Sequence, residues 1–222
     1  MIYYKNLIII GTSHISIESI KEVEKIIGEN KPNIVALELD KPRFGALMYG
    51  GKKAGLGDIF SIGIKGYIFS LIGAYAEKKL GSIVDVSPGS EMKRAAEVAK
   101  ENGCRIALID QRIDVTLKRF SKEITWKEKF RFLFDLIKGI FKKEKISFDL
   151  NKVPSNEIIK KMLDYVKKRY PNVYKVLVYE RNLVMAKHLY SLMGNYNHIV
   201  AVVGAGHSDD IIEEIKCLEK KR

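Results

Sequence analysis

Four short apolar runs constrain the fold of this chain more than any other feature: NLIII at residues 6–10, NIVALELD at 33–40, CRIALID at 104–110 and HIVAVV at 198–203. Each is nearly unbroken rather than alternating. A strand that is apolar on both sides has both faces covered, the condition of a parallel sheet between layers of helix. The intervening sequence supplies the helices. Ser16 can cap one in which Ile17, Ile20, Val23 and Ile27 share a face, closed by Gly28 and Pro32. The first forty residues therefore read as a β-α-β unit with parallel strands. Pro88 suits the first turn of a second helix, continued by Ala95, Ala96, Val98 and Ala99 and ended by Asn102-Gly103. Pro171 opens another that runs to Gly194. Ser208, Asp209 and Asp210 start a last one, acidic groups suiting its positive end. The expected fold is α/β, a mainly parallel sheet flanked by helices, in a single domain over residues 1–222. Two helical excursions are expected: a glycine-rich insertion or lid at about 41–87, and a stretch at about 114–169 broken near 147–154.

The polar residues at the ends of these runs carry the chemistry. The first run leads to Gly11-Thr-Ser-His14, and the second carries Glu38 near its end. The third ends in Asp110, Gln111 and Arg112, and the fourth leads to Gly204-Ala-Gly-His207. In a parallel α/β sheet the carboxyl ends of the strands share one edge, where ligands bind. Residues far apart in sequence can therefore meet. A dinucleotide site does not fit. Asp209 stands where the third glycine of G-x-G-x-x-G belongs, and no strand follows to complete the unit. The alternative is a Gly-x-x-His loop at each end of the chain, the glycine letting the backbone turn and the histidine facing the cleft. His14 and His207 with a carboxylate such as Glu38 form a set suited to a catalytic divalent metal with an open position, Mn, Co or Zn. The same set could work without metal, one imidazole acting as general base. A carboxylate in an apolar strand is costly unless paired or bound to metal, which singles out Glu38. His188 and His198 have no motif around them and read as structural.

The charge balance is +12, and an anionic partner or a plainly lysine-rich surface would each account for it. No aromatic-basic module of a nucleic-acid binder is present, so nucleic acid is not expected. Cys104 and Cys217 form no metal or disulfide pattern. No secretion signal is visible, and the expected location is cytoplasmic or membrane-associated. The stretch IFSIGIKGYIFSLIGAYA at 59–76 carries Lys65 and four glycines. It reads as a buried or interfacial helical pair, covering the cleft or mediating a homodimer, rather than a span. At 126–145, Trp126, Phe130, Leu133, Phe134, Ile137 and Phe141 follow helical spacing with basic residues opposite. Such a helix can lie on an anionic membrane surface, pack on a partner, or dock on its own core.

GTSHIS, VALELD, PGSEMKRAAEVAKENGCRIALIDQRIDVTLKRF, ERNLVMAKHL and VVGAGH, in that order over nearly the whole chain, resemble the TraB family, which includes the pheromone-shutdown proteins. That family belongs with the Tiki metal-dependent peptidases, the erythromycin esterases and the ChaN haem-binding lipoproteins. The resemblance implies an α/β fold with paired Gly-x-x-His motifs. By position it implies a site drawn from His14, Glu38, Glu91, Asp110, Arg112, Glu180, Arg181, Asn182 and His207. One departure is that Asp110-Gln111-Arg112 stands where relatives commonly read Asp-Arg, which displaces the arginine by one. Another is that many relatives carry C-terminal membrane helices. Here the sequence runs to Glu-Lys-Lys-Arg without one, as expected of a soluble form or of a piece of a longer chain.

The expected activity is hydrolysis by a metal-dependent peptidase acting on a peptide or other small-molecule substrate. His14, His207 and Glu38 would hold the ion or activate water, and Arg112 or Arg119 would steady negative charge. Arg112 competes with a plain salt bridge, and Glu91 with a simple role at a helix start. Glu180, Arg181 and Asn182 are adjacent on a helix and cannot all face one site. A structural Glu–Arg network is the rival for Glu180. The other class of function is a non-catalytic module that sequesters a peptide or a haem-like tetrapyrrole in the same cleft.

Overall fold

A computed structural model describes residues 1–12, 17–50, 89–141 and 156–221. Its sheet has five strands: β1 (Ile2–Tyr4), β2 (Leu7–Thr12), β3 (Ile34–Leu37), β4 (Arg105–Leu108) and β5 (Ile199–Gly204), in the order β1-β2-β5-β3-β4. The four strands expected from the sequence are all present and mutually parallel where they pair. The fifth, β1, is an antiparallel edge strand hairpinned onto β2. Its three residues are too few for a periodic signal, and Lys5 turns the chain with φ 52°.

The helices are α1 (Ile17–Asn30), α2 (Lys41–Tyr49), α3 (Ser90–Glu101), α4 (Ile113–Glu123), α5 (Trp126–Phe141), α6 (Asn156–Arg169), α7 (Pro171–Tyr174), α8 (Glu180–Met193) and α9 (Ser208–Lys220). A π-helical turn, Lys175–Tyr179, joins α7 to α8. The layers explain why the runs are unbroken. Successive side chains point to opposite faces. Ile8, Ile10, Val35, Leu37, Val200 and Val202 pack with α1 and α3. Leu7, Ile9, Ile34, Ala36, Ile199, Ala201 and Val203 pack with α8 and α9 on the other side. Both faces of β3 and β5 are buried, as are those of the LIII run of β2, so these runs are apolar without alternation.

Several boundaries differ from expectation. Gly28 lies inside α1, which continues to Asn30. The excursion expected at 41–87 begins as α2, capped by Asp40, whose side chain accepts the Arg43 N–H at 2.9 Å. Residues 51–88, including the stretch 59–76 and Pro88, lie outside the described residues, and so does Ser16. The helical region at 114–169 is split at Ile124 and Thr125. Thr125 and Glu128 form a reciprocal cap: each backbone N–H is accepted by the other's side chain, at 3.1 and 3.3 Å. The expected break at 147–154 lies outside the described residues. Among the described residues no helix is long and apolar enough to cross a membrane.

The topology decides where the site falls. β5, the last strand in sequence, inserts between the two strands of the first β-α-β unit. Gly11 lies opposite Val203 and Thr12 opposite Gly204, and the Ala205 N–H donates to the Thr12 carbonyl at 2.9 Å. A Cβ on Gly11 would stand 3.1 Å from the Ala205 Cα and 3.3 Å from the Ser208 Oγ. Glycine here lets the end of β2 lie against the loop that follows β5.

Candidate functional site

Glu38 follows β3 directly and is buried at the carboxyl edge. The register brings Gly204, at the end of β5, beside it, and the Gly204 N–H donates to Glu38 Oε2 at 2.6 Å. The other carboxylate oxygen accepts from Arg181 Nη2. Arg181 spans two carboxylates. Its Nε and Nη2 donate to Asp110 at 3.1 and 2.6 Å, and its Nη1 donates to the Leu177 carbonyl of the π-turn at 3.1 Å. Asp110 also accepts from Arg43 Nη2 at 2.6 Å. Arg43 is held in turn by Asp40, whose second oxygen accepts the Ile113 N–H at 2.5 Å. Three strand ends and three helices are thereby tied together around one ionic cluster.

Burial pushes the Asp110 carboxyl up, but the guanidiniums of Arg181 and Arg43 outweigh it and hold it below the usual carboxylate range. Burial disfavours the charged form of Arg181, and Glu38 and Asp110 reverse that, holding it protonated. The balance of charges is what makes the burial tolerable.

His207 enters from the β5–α9 loop and occupies the position just before α9. Its Nδ1 is 2.6 Å from Asn182 Oδ1. The Asn182 amide is oriented by its other end, since Nδ2 donates to Asp210 Oδ2 at 3.1 Å. The Tyr174 hydroxyl donates to the same oxygen at 3.4 Å. With an acceptor fixed at Nδ1, the neutral imidazole carries its proton there and leaves Nε2 as an acceptor. That nitrogen lies 3.4 Å from Glu38 Oε1 and 3.4 Å from Arg181 Nη1. The arrangement can take up a proton at Nε2, or offer Nε2 and a carboxylate oxygen to an electrophile between them.

The expected residues fall into three groups. Glu38, Asp110, Arg181, Asn182 and His207 are brought together. Arg112 is not: its side chain is 70% exposed and paired with Asp114 at 2.9 Å. Glu180 turns away from its neighbour to pair with Arg119 through both oxygens, at 2.5 and 3.1 Å. Arg119 also bonds Glu123, which takes Lys175. Glu91 is buried in the first turn of α3, and no hydrogen bond or ion pair links it to Glu38, Asp110, Arg181 or His207 among the described residues. His14 lies outside the described residues. The His188 Nδ1–H donates to the Ile109 carbonyl at 2.7 Å. Sequence reasoning missed Asp40 and Arg43. Their signal was the Asp-Lys-Pro-Arg that follows Glu38, an acid before a helix-opening proline with an arginine one turn along. Among the described residues no group of three or more His, Cys, Asp and Glu side chains is arranged to hold a metal ion.

An α/β domain with an arginine-braced acidic pair and an oriented imidazole at the carboxyl edge of its sheet is the class that fold and site define. A model of the TraB/PrgY/gumN family matches residues 4–221, and the chain belongs to that family. It is 40% identical to an uncharacterised protein of Methanocaldococcus jannaschii over 220 residues, 96% of this chain and 54% of that protein. TraB domain-containing proteins of mouse and human are 24% identical over 194 residues, 80% of this chain and 50% of each. The chain spans about half the length of these relatives.

Proposed function

We propose that this TraB domain is a hydrolase acting on a peptide or similar acyl bond, with His207 and Glu38 as the residues that handle water. The observation that carries the reading is the Asp210–Asn182–His207 chain of hydrogen bonds. It fixes one imidazole nitrogen as a donor and leaves the other as an acceptor between the Glu38 carboxylate and the Arg181 guanidinium. A surface histidine needs no such bracing. A histidine that must present one lone pair in one direction does.

A divalent ion fits the chemistry of these donors. Imidazole Nε2 and carboxylate oxygen are the ligand types of hydrolytic sites, and a hydrogen-bond acceptor held against Nδ1, here the Asn182 oxygen, fixes the ring for such a role. Nε2 of His207 and Glu38 would be two ligands, and the family resemblance implies His14 as the third. When bound, such an ion lowers the pKa of water toward neutrality. The chain's own residues do the rest. Asn182 holds the imidazole tautomer. With the ion held by Nε2, a Glu38 carboxylate oxygen takes the proton from water; without an ion, His207 takes it at Nε2. Arg181 supplies the positive charge nearest to where negative charge develops on a carbonyl oxygen.

The test is metal analysis and peptide cleavage on the same preparation. Protein equilibrated with Mn, Co or Zn is assayed on a quenched-fluorescence peptide library beside His207→Ala and His14→Ala. Cleavage that falls roughly a hundred- to ten-thousand-fold in His207→Ala supports the reading. Retained cleavage in that variant, or none in wild type with any of the three metals, overturns it. A haem absorbance band without cleavage, lost in His14→Ala, would favour a sequestering module.

A further inference from the structure

The sheet ends in two edge strands, and only one of them is blunted. β1 is three residues long and closes at Lys5, whose φ of 52° makes the hairpin turn. Short length and a lysine are ordinary protections against edge-to-edge pairing. β4 lies at the other edge. Beyond Arg105 it carries no lysine, acid or proline, and its residues are exposed or half-buried. The Arg105 and Ile109 N–H groups donate to the Asn33 and Leu37 carbonyls at 3.2 and 3.0 Å. Residues 105, 107 and 109 therefore turn their backbone groups toward β3, and Ile106 and Leu108 turn theirs to the open side. Among the described residues, neither the N–H nor the C=O of Ile106 or Leu108 has a hydrogen-bond partner.

We infer that β4 is a self-association edge, pairing antiparallel with the same strand of a second copy of this chain. The strand is complementary to itself. A two-fold axis at Ala107 sets Ile106 opposite Leu108 of the partner subunit, and Leu108 opposite the partner's Ile106. Each becomes a hydrogen-bonded pair that exchanges both N–H···O bonds, so every open group on both copies is satisfied. The pair on the axis is the close, non-hydrogen-bonded kind, with Cα atoms about 4.5 Å apart. It falls on Ala107, the smallest side chain of the strand. Isoleucine meets leucine across the seam on either side of it. An unrelated extended peptide would pair with the edge too, but it has no need of this self-match. The contact is isologous and closes at two copies. Because the paired strands run in opposite directions, the carboxyl edges of the two sheets, and with them the two His207 sites, face opposite ways.

A seam of one strand from each copy is small beside a standard interface, so a reversible dimer with a Kd in roughly the micromolar range is expected. Each copy carries +12, a repulsion that salt screens beyond about 10 Å at 0.1 M. Sedimentation equilibrium of the chain from about 1 to 200 µM should therefore show monomer and dimer, with association tightening as salt is added. Amide exchange at Ile106 and Leu108 should slow as concentration rises, which tests the edge without any substitution. Ile106→Lys sets two like charges diagonally across the axis, and so does Leu108→Glu. Each alone should weaken association at least about tenfold. Mixed one to one, the two variants should associate more tightly than either does alone, because the introduced lysine then lies opposite the introduced glutamate. Urea unfolding of each variant checks that it is folded. Three results would overturn the inference. One is a monomer at every concentration and salt. Another is exchange at Ile106 and Leu108 that does not depend on concentration. The third is a mixture of folded variants no more associated than its components.

Discussion

Glu180 and Arg181 are neighbours on one helix and belong to two different ionic networks. Arg181 lies between Glu38 and Asp110 inside the molecule. Arg119 lies between Glu180 and Glu123 at the surface. The two arginines have the same chemistry and the same kind of partners, and only their surroundings differ. At the surface, water replaces a lost partner and salt screens the pair. In the interior nothing replaces it, so removing one member strands the others as buried charges. A buried network of this kind is weak evidence of a stability gain. What the network does show is which elements it joins: the ends of β3 and β4 with α2 and α8.

The comparison can be broken at its strongest point first. Arg181→Met should destabilise the domain by roughly 3–5 kcal/mol in urea unfolding, because Glu38 and Asp110 lose a shared counter-charge. A variant as stable as wild type would mean that water reaches the cluster.

Asp110→Asn should cost about 1.5–3 kcal/mol at neutral pH, the range for hydrogen bonds to charged groups. Its pH dependence gives a second check. The folded pKa of Asp110 is lowered. Its contribution is therefore present above the unfolded value of about 3.9 and is lost as pH falls through the folded one. The gap between wild type and Asp110→Asn should close as unfolding is followed toward strongly acid pH. A gap constant across that range would remove Asp110 from the linkage.

Asn182→Ala separates positioning from structure. It should cost about 1–2 kcal/mol but lower metal affinity or turnover roughly ten- to hundredfold. It should also change the pH profile of activity, since the imidazole tautomer is no longer imposed. Asn182→Asp, which keeps an acceptor beside Nδ1, should restore part of the turnover. Equal loss in both would point to packing alone. Smallest of all, Arg119→Ala should leave the urea midpoint within the scatter of surface substitutions and diminish further with added salt. A loss comparable to that of Arg181→Met would erase the distinction between the two networks.

The strands and layers were legible because burial on both faces leaves an unmistakable mark: four continuous apolar runs in a chain that is 30% charged. Glu38, Asp110 and His207 were legible as polar residues at the ends of those runs. Arg112 was expected beside them on grounds of sequence proximity, yet it points to solvent. Arg181, 71 residues further on from Asp110, takes the contact. Linear spacing says nothing about which arginine of a distant helix turns inward.

What the sequence alone determined was local: which segments are strand or helix, and which strand ends carry ionisable groups. These follow from backbone propensity and from side-chain period, which are properties of a few consecutive residues. Strand order was decided in the folded state. It put β5 between β2 and β3 and so carried Gly204 and His207 to Glu38. That pairing joins residues 166 and 169 positions apart in the chain. It exists only once the two faces of the sheet are covered and the buried charges have found one another.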